Sequence, residues 1–255
     1  MTERLKILVV DDEQVVLDSA RKILDSDRLQ VLTAADTEAA LGMLAAEAPD
    51  IVISDLVLPG ASGMKLLEMA SEQDPGLLII ITTGYSTVEN AVAALKHGAF
   101  DFLPKPFTCD ELLSCVARAR RAVELRLTLG ASGPPGVGHR GDSHLGRQTW
   151  ARPERDGTAL LGVTNLQLQT VDCIERVELP EIGAELRQGG RLVCLHTTDG
   201  LAHNLWSPLG GRVLACNDRL RDQPESLRDS PESADWIARI LPVDLDGELP
   251  NLIEF

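Results

Sequence analysis

Residues 5–13 read Leu5-Lys6-Ile7-Leu8-Val9-Val10-Asp11-Asp12-Glu13, a short apolar run that stops on acids. A run of this length with polar residues at its end has the pattern of a buried strand. The pattern recurs: comparable runs occupy Leu5–Val10, Val31–Thr33, Ile51–Ile53, Leu77–Ile81 and Ala99–Leu103. The stretches between them have helical spacing. Val15, Val16, Ala20, Ile23 and Leu24 form one apolar stripe, and Ala91, Val92, Ala94 and Leu95 form another. Helix caps stand where helices should begin. Thr37 precedes residues 38–47, Ser86 precedes residues 87–96, and Thr108 lies three residues before Glu111, a capping-box spacing. Five strands alternating with five helices over residues 1–125 predict a doubly wound α/β domain, its parallel sheet covered on both faces. Ligands of such sheets bind beyond the carboxyl ends of the strands.

Those strand ends carry the chemistry. The first ends in Asp11-Asp12, the third leads to Asp55, the fourth ends in Thr83-Gly84 and the fifth leads into Lys105-Pro106. In a parallel sheet these ends gather on one edge. Three carboxylates brought together repel and need a cation, and hard oxygen ligands with room for water suit Mg²⁺. A metal beside a carboxylate lets an anionic phosphoryl group approach, so Asp55 can act as a nucleophile and become an aspartyl phosphate. The oxygens in transfer need positive charge and donors, which a lysine and a hydroxyl supply.

Four segments in order bear a resemblance to a known family. They are Val9-Val-Asp-Asp-Glu13, Ile53-Ser-Asp-Leu56 with Pro59-Gly60, Thr82-Thr-Gly84, and Gly98-Ala-Phe-Asp-Phe-Leu-Pro-Lys-Pro-Phe107. Residues 4–124 resemble the receiver domains of two-component response regulators, which implies a flavodoxin-like fold and phosphorylation on Asp55. The resemblance implies that Asp12 and Asp55 ligate Mg²⁺ directly and that Asp11 holds it through water. The backbone carbonyl of Val57 completes the protein ligands. It further implies that Lys105 pairs with the phosphoryl oxygens, that Lys105–Pro106 is cis, and that the Gly84 amide is a donor. Thr83 and Phe102 would be the switch residues, the ring swinging inward behind the threonine.

From about residue 128 the texture changes. Ala131-Ser-Gly-Pro-Pro-Gly-Val-Gly-His-Arg-Gly141 has no hydrophobic period and many breakers, and residues 126–143 are expected to be a flexible linker. Short strand-like runs follow at Thr158–Thr164, Cys173–Leu179, Arg191–Thr197 and Gly211–Asn217. Leu179–Gly183 and Ser207–Gly211 have turn composition, so residues 144–255 predict a small, mostly β domain with short helices. Its segments resemble the glycine-cleavage H protein, a lipoyl carrier with a barrel-sandwich-hybrid-like fold. The matching stretches are His144 with Trp150-Ala-Arg152, Asp156–Thr164, Ile174–Gly183, Leu205–Gly211, and Asn217 onward to Trp236-Ile237. A lipoyl carrier needs a lysine at a hairpin tip, and by this resemblance that position falls on Gly200. The lysines are at 6, 22, 65, 96 and 105, so the second domain has no primary amine to carry lipoate. Gly200 suits a tight turn with positive φ. Two readings of the tip remain open: a scaffold hairpin that docks a partner, or a metal or anion site of His196, Asp199 and His203. Trp206 and Trp236 are expected in the core.

Composition narrows the function. The net charge is −15, shared as −9 over residues 1–125 (20 acids, 11 bases) and −6 over the rest (19 acids, 13 bases). Neither half has the basic balance of a nucleic-acid binder, and neither shows a helix-turn-helix with a basic recognition helix. Cysteines at 109, 115, 173, 194 and 216 form no C-x-x-C pair, as expected of reduced thiols in a cytosolic chain. No signal peptide is visible, and no apolar stretch reaches the ~18 residues of a membrane span, so a cytoplasmic protein is expected. The leading expectation is a response regulator, with no enzyme activity beyond phosphoryl self-transfer and autodephosphorylation. Its partners would be a histidine kinase or phosphotransfer protein and a protein bound by the non-lipoylated second domain, with a homodimer through the receiver left open. The alternatives are a regulated component or mimic of a lipoyl-carrier system in one-carbon or sulfur metabolism, and, disfavoured by charge, a DNA-binding regulator.

Overall fold

The computed structural model describes residues 4–60, 62–74, 76–84, 88–129, 142–228 and 236–254. The chain folds as two compact units. In the first, β1 (Leu5–Val10), β2 (Leu29–Ala34), β3 (Ile51–Asp55), β4 (Leu78–Thr83) and β5 (Asp101–Pro104) form one parallel sheet in the order β2-β1-β3-β4-β5. Helices α1 (Gln14–Leu24), α2 (Thr37–Glu47), α3 (Gly63–Gln73), α4 (Val88–Lys96) and α5 (Cys109–Leu129) alternate with the strands along the chain. This is the expected doubly wound, flavodoxin-like order. Ile7, Val9, Ile51 and Ile53 pack on one face with Leu17 of α1 and Leu112 and Val116 of α5. Their neighbours Leu8, Val10 and Val52 point the other way and are buried too. Alternation buried on both faces is why these strands read as continuous apolar runs.

The strands outrun their apolar stretches. β3 continues to Asp55, β4 to Thr83 and β5 to Pro104. The ladder is made by backbone groups, so a polar residue stays in the strand while its neighbour pairs with it. Asp55 is in register with Thr82, and Thr83 with Pro104. Asp55 and Thr83 are therefore the last rungs of the sheet.

Two helix starts differ in detail. The α2 cap is Asp36, whose carboxylate accepts from the Ala39 amide, while Thr37 is the first helical residue and is buried. A carboxylate one residue earlier is the better acceptor at a helix start. The α5 capping box forms as read, with Thr108 N donating to Glu111 Oε2 at 2.8 Å and Glu111 N to Thr108 Oγ1 at 3.2 Å. The expected cap Ser86 lies outside the described residues. The expected linker, residues 126–143, is corrected at both ends. Helix α5 runs to Leu129, because Glu124-Leu-Arg-Leu-Thr-Leu129 lacks a breaker. At the other end Asp142 is clamped by Arg152 at 2.7 and 2.9 Å, and strand structure starts at Ser143. Residues 130–141 lie outside the described residues.

The second unit is antiparallel. Its strands are β6 (Ser143–Leu145), β7 (Thr149–Pro153), β8 (Ala159–Val163), β9 (Ile174–Glu178), β10 (Glu185–Leu186), β11 (Arg191–Thr197), β12 (Ala202–Trp206), β13 (Gly211–Cys216), β14 (Trp236–Pro242) and β15 (Ile253–Glu254). One sheet runs β10-β13-β14-β8-β7-β6-β15 and the other β12-β11-β9. The short helix Asn165–Gln169 leads from the larger sheet to the smaller, while Arg219–Asp222 and Leu245–Glu248 lie between strands of the larger sheet. Trp150 sets the centre of the larger sheet. Its indole donates to the Val163 carbonyl at 3.1 Å, and a Cβ on Gly162 would stand 2.2 Å from its ring, so only glycine fits there. Trp206 is buried, and Trp236 is half-buried at the start of β14. Among the described residues no helix is long and apolar enough to cross a membrane.

Candidate functional site

The order of the first sheet reverses between β1 and β3, and a crevice opens beyond the carboxyl ends of the strands at such a point. Asp11 follows β1 and Asp55 ends β3, so both line it. Asp11 is 1% and Asp55 7% exposed, while Asp12 is open to solvent. Carboxylate oxygens of the three lie within 4.8 Å of one another. Lys105, just beyond β5, reaches between them. Its Nζ donates to Asp11 Oδ2 and to Asp55 Oδ2, each at 2.6 Å. Burial pulls the lysine's pKa down, but the hydrogen bonds to the two carboxylates outweigh it and hold the ammonium above its ordinary value.

The two buried carboxylates are aimed by backbone. Asp11 Oδ1 accepts from Glu13 N and Asp55 Oδ1 from Val57 N, both at 3.0 Å. That leaves Asp55 Oδ2 toward the lysine and the open edge. Thr83 is fully buried at the end of β4, and its carbonyl accepts from Lys105 N at 2.8 Å. Gly84 is exposed, with empty space where a side chain would be. The Lys105–Pro106 peptide is cis. Phe102 is already inside, 4% exposed. Beside the acids lies a cleft of about 610 Å³ lined by Asp11, Glu13, Val15, Thr82, Gly84 and Lys105, with Pro106 and Phe107 at its wall. Hard oxygen donors, one lysine and an open edge are what a divalent cation and a tetrahedral anion require together.

Two features escaped the sequence reading. Gly63 opens α3 directly over Asp55, and a Cβ there would stand 2.0 Å from the Asp55 carbonyl oxygen. A glycine at a helix start was the available signal. The second is a buried cluster behind β5. Arg118 of α5 donates to Asp101, Cys115 Sγ donates to Asp101 at 3.4 Å, and Arg118 also reaches Cys115 Sγ at 3.2 Å. Burial and the Asp101 charge push the Cys115 thiol up, so it stays protonated.

The residues read at the hairpin tip, His196, Asp199 and His203, do not converge in this way. Gly200 sits at the β11–β12 tip with φ +81°, the left-handed region that glycine tolerates. Asp199 Oδ1 accepts from Thr197 Oγ1 at 2.6 Å and from Leu201 N at 3.2 Å, closing the turn. The grouping of His196, Asp199 and His203 is corrected. His203 contacts Thr197 at 3.2 Å and is buried, whereas His196 pairs with Arg176 and Glu178. His196 is in register with Ala202 and His203 with Leu195, so strand alternation sends the two imidazoles to opposite faces.

Comparison with known proteins agrees with both geometries. Residues 7–117 match the response regulator receiver domain family, and residues 143–254 match the glycine cleavage H-protein family. The nitrogen assimilation regulatory protein NtrX of Azorhizobium caulinodans is 35% identical over 122 residues, covering 47% of this chain and 27% of NtrX. The C4-dicarboxylate transport transcriptional regulatory protein DctD of Pseudomonas aeruginosa is 40% identical over 121 residues, covering 48% of this chain and 26% of DctD. A crystal structure of a response regulator receiver domain protein from Clostridium thermocellum is 34% identical, with a TM-score of 0.45, covering 49% of this chain and 99% of that one. The chain spans about a quarter of the length of these two curated relatives.

Proposed function

Because the chain joins a response regulator receiver domain to a glycine cleavage H-protein domain, we propose that it is a phosphorylation-controlled signalling protein whose acceptor is Asp55. The observation that carries this is the Lys105 ammonium held between Asp11 and Asp55 at the reversal of the sheet. The donor would be the phosphohistidine of a kinase or phosphotransfer protein seated at the cleft beside α1. Asp55 Oδ2 attacks phosphorus, the bond from phosphorus to the donor nitrogen breaks, and the imidazole takes up a proton. Lys105 then turns from the carboxylates to the phosphoryl oxygens, and the Gly84 amide and the Thr83 hydroxyl give further donors. Phe102 would follow Thr83 as the switch.

The donor set fits Mg²⁺, with Asp11, Asp12, Asp55 and the Val57 carbonyl as the protein's ligands. When bound, the ion supplies positive charge against the incoming phosphoryl oxygens. Lys105 adds its own positive charge between the two buried carboxylates.

The second domain is read as an H-protein scaffold that acts by contact and carries no lipoate. Gly200 stands at the hairpin tip, and no lysine follows Lys105. The receiver would change what this scaffold binds by shifting an existing equilibrium.

The test is incubation of the full chain with Mg²⁺ and acetyl phosphate, followed by intact mass. One acid-stable, base-labile phosphoryl group is expected, absent in Asp55→Asn. A label that persists in that variant and maps elsewhere ends the assignment.

A further inference from the structure

We propose that the second domain binds a zinc ion between Glu178, Cys194 and His196, on one face of the sheet β9–β11–β12. Cys194 and His196 are two residues apart on β11 and share a face. The register sets Glu178 of β9 directly opposite Cys194, and Asn204 of β12 opposite Cys194 on the other side. The carboxylate, the thiol sulfur and an imidazole nitrogen lie within 4.8 Å of one another. Thiolate, imidazole and carboxylate are the donors zinc takes. Bonds of about 2.0–2.3 Å in a tetrahedral site put neighbouring donors about 3.3–3.8 Å apart. His196 Nε2 and Glu178 Oε2 are 3.4 Å apart.

The hydrogen bonding of His196 supports the same reading. Arg176 Nη2 is 2.8 Å from His196 Nε2. A guanidinium only donates, so this nitrogen presents its lone pair. Glu178 Oε2 approaches the same nitrogen, and a carboxylate oxygen beside an imidazole lone pair favours a cation between them. Arg176 beside His196, and Arg191 at 3.5 Å from Glu178 Oε1, supply positive charge around the pair. Both arginines are exposed and can swing into solvent with little loss. Asn204 adds a second, independent sign. Its Oδ1 is buried and has no hydrogen-bond partner among the described residues. It stands across from Cys194, where a water in zinc's fourth position could donate to it. Cys194 is 4% exposed, His196 half-buried and Glu178 exposed, so the ion would enter over the carboxylate.

The experiment uses the full chain, reduced and stripped with chelator, titrated with Co²⁺ as a spectroscopic stand-in and then with Zn²⁺. The expected result is one equivalent of Co²⁺ with a thiolate-to-cobalt charge-transfer band that Zn²⁺ abolishes. The band should be present in Asp55→Asn and lost in Cys194→Ser. Should Cys194→Ser fail to fold, Glu178→Gln and His196→Ala decide. Each should weaken Zn²⁺ by at least about tenfold, the loss that follows even removal of an outer-sphere partner. Absence of the band, a band that persists in folded Cys194→Ser, or unchanged affinity in both other variants overturns the proposal.

Discussion

The edge of the first sheet and the β11–β12 hairpin differ in how their side chains are held. At the receiver edge Asp11, Asp55 and Lys105 come from the ends of three strands and meet at 2.6 Å. At the hairpin the turn is intact, closed by Asp199 and Gly200, but the residue at its tip has no side chain. The first site is held by groups that also stabilise the fold, since a lone buried carboxylate without Lys105 would be costly. The second stands on an exposed turn where a side chain would meet open space, so the residue there can change while the sheet beneath remains. A fold is kept by its core and a function by its site, and the two can vary separately.

The largest effect that would sharpen the contrast is at the buried ion pairs. Arg118 and Asp101 are nearly fully buried behind β5, whereas Arg152, paired with Asp142 in the second domain, keeps a quarter of its side chain in solvent. Arg118→Met should destabilise the first domain by about 3–5 kcal/mol, because the buried Asp101 carboxylate loses the guanidinium opposite it. Arg152→Met should lower stability by less, about 1–3 kcal/mol, since water can reach Asp142's freed oxygens more readily. Urea unfolding of the full chain checks both, and equal losses would break the comparison.

A smaller effect separates the two glycines. Gly63→Ala puts a methyl 2.0 Å from the Asp55 carbonyl oxygen. It should lower stability by about 1–3 kcal/mol, and it should slow phosphorylation because Asp55 must shift. Gly200→Lys meets open space and only the backbone term, about 1–2 kcal/mol for a side chain in the left-handed region. That variant returns an amine to the tip. Incubated with lipoate, ATP and a lipoate ligase, it should gain the lipoyl mass that the parent chain does not. Failure to do so in a folded variant would mean that an amine at this tip is not enough for lipoylation.

The smallest effect is on pH dependence. Burial holds the His144 imidazole of β6 below its ordinary value of 6.5, against a weaker upward pull from Asp142. The unfolded chain therefore binds the proton first as pH falls. This contribution to stability is whole above about pH 6.5 and is lost progressively below it. Thermal melting of the second domain should fall between pH 7 and pH 5, with a flatter slope in His144→Gln. The receiver's Lys105 acts at the other end of the scale. Its pKa is raised in the fold, so its stabilisation is present below its ordinary value of 10.5 and lost only as pH rises through the higher folded value. A His144→Gln slope equal to that of the parent would assign the acid sensitivity elsewhere.

What the amino-acid order determined is what depends on residue type and strand periodicity. The alternation of apolar runs and helical stripes dictates a parallel sheet, and the polar residues at the run ends, Asp11, Asp55, Thr83 and Lys105, must then share an edge. The same logic identified the Thr108–Glu111 capping box and the glycine turn at residue 200, both of which are local. Tertiary structure decided whatever depends on register and on distance across the chain. Lys105 bridges both acids only because β1, β3 and β5 end at one level. Gly63 is required only because α3 starts against the Asp55 carbonyl. Arg118 finds Asp101 through the angle of a helix on the sheet. In the second domain, one residue of strand alternation separates His196 from His203 and brings it instead to Glu178 and Cys194. Composition carries no record of that difference, because side chains on neighbouring strands meet according to pairing register, which is set by the packing of the whole sheet.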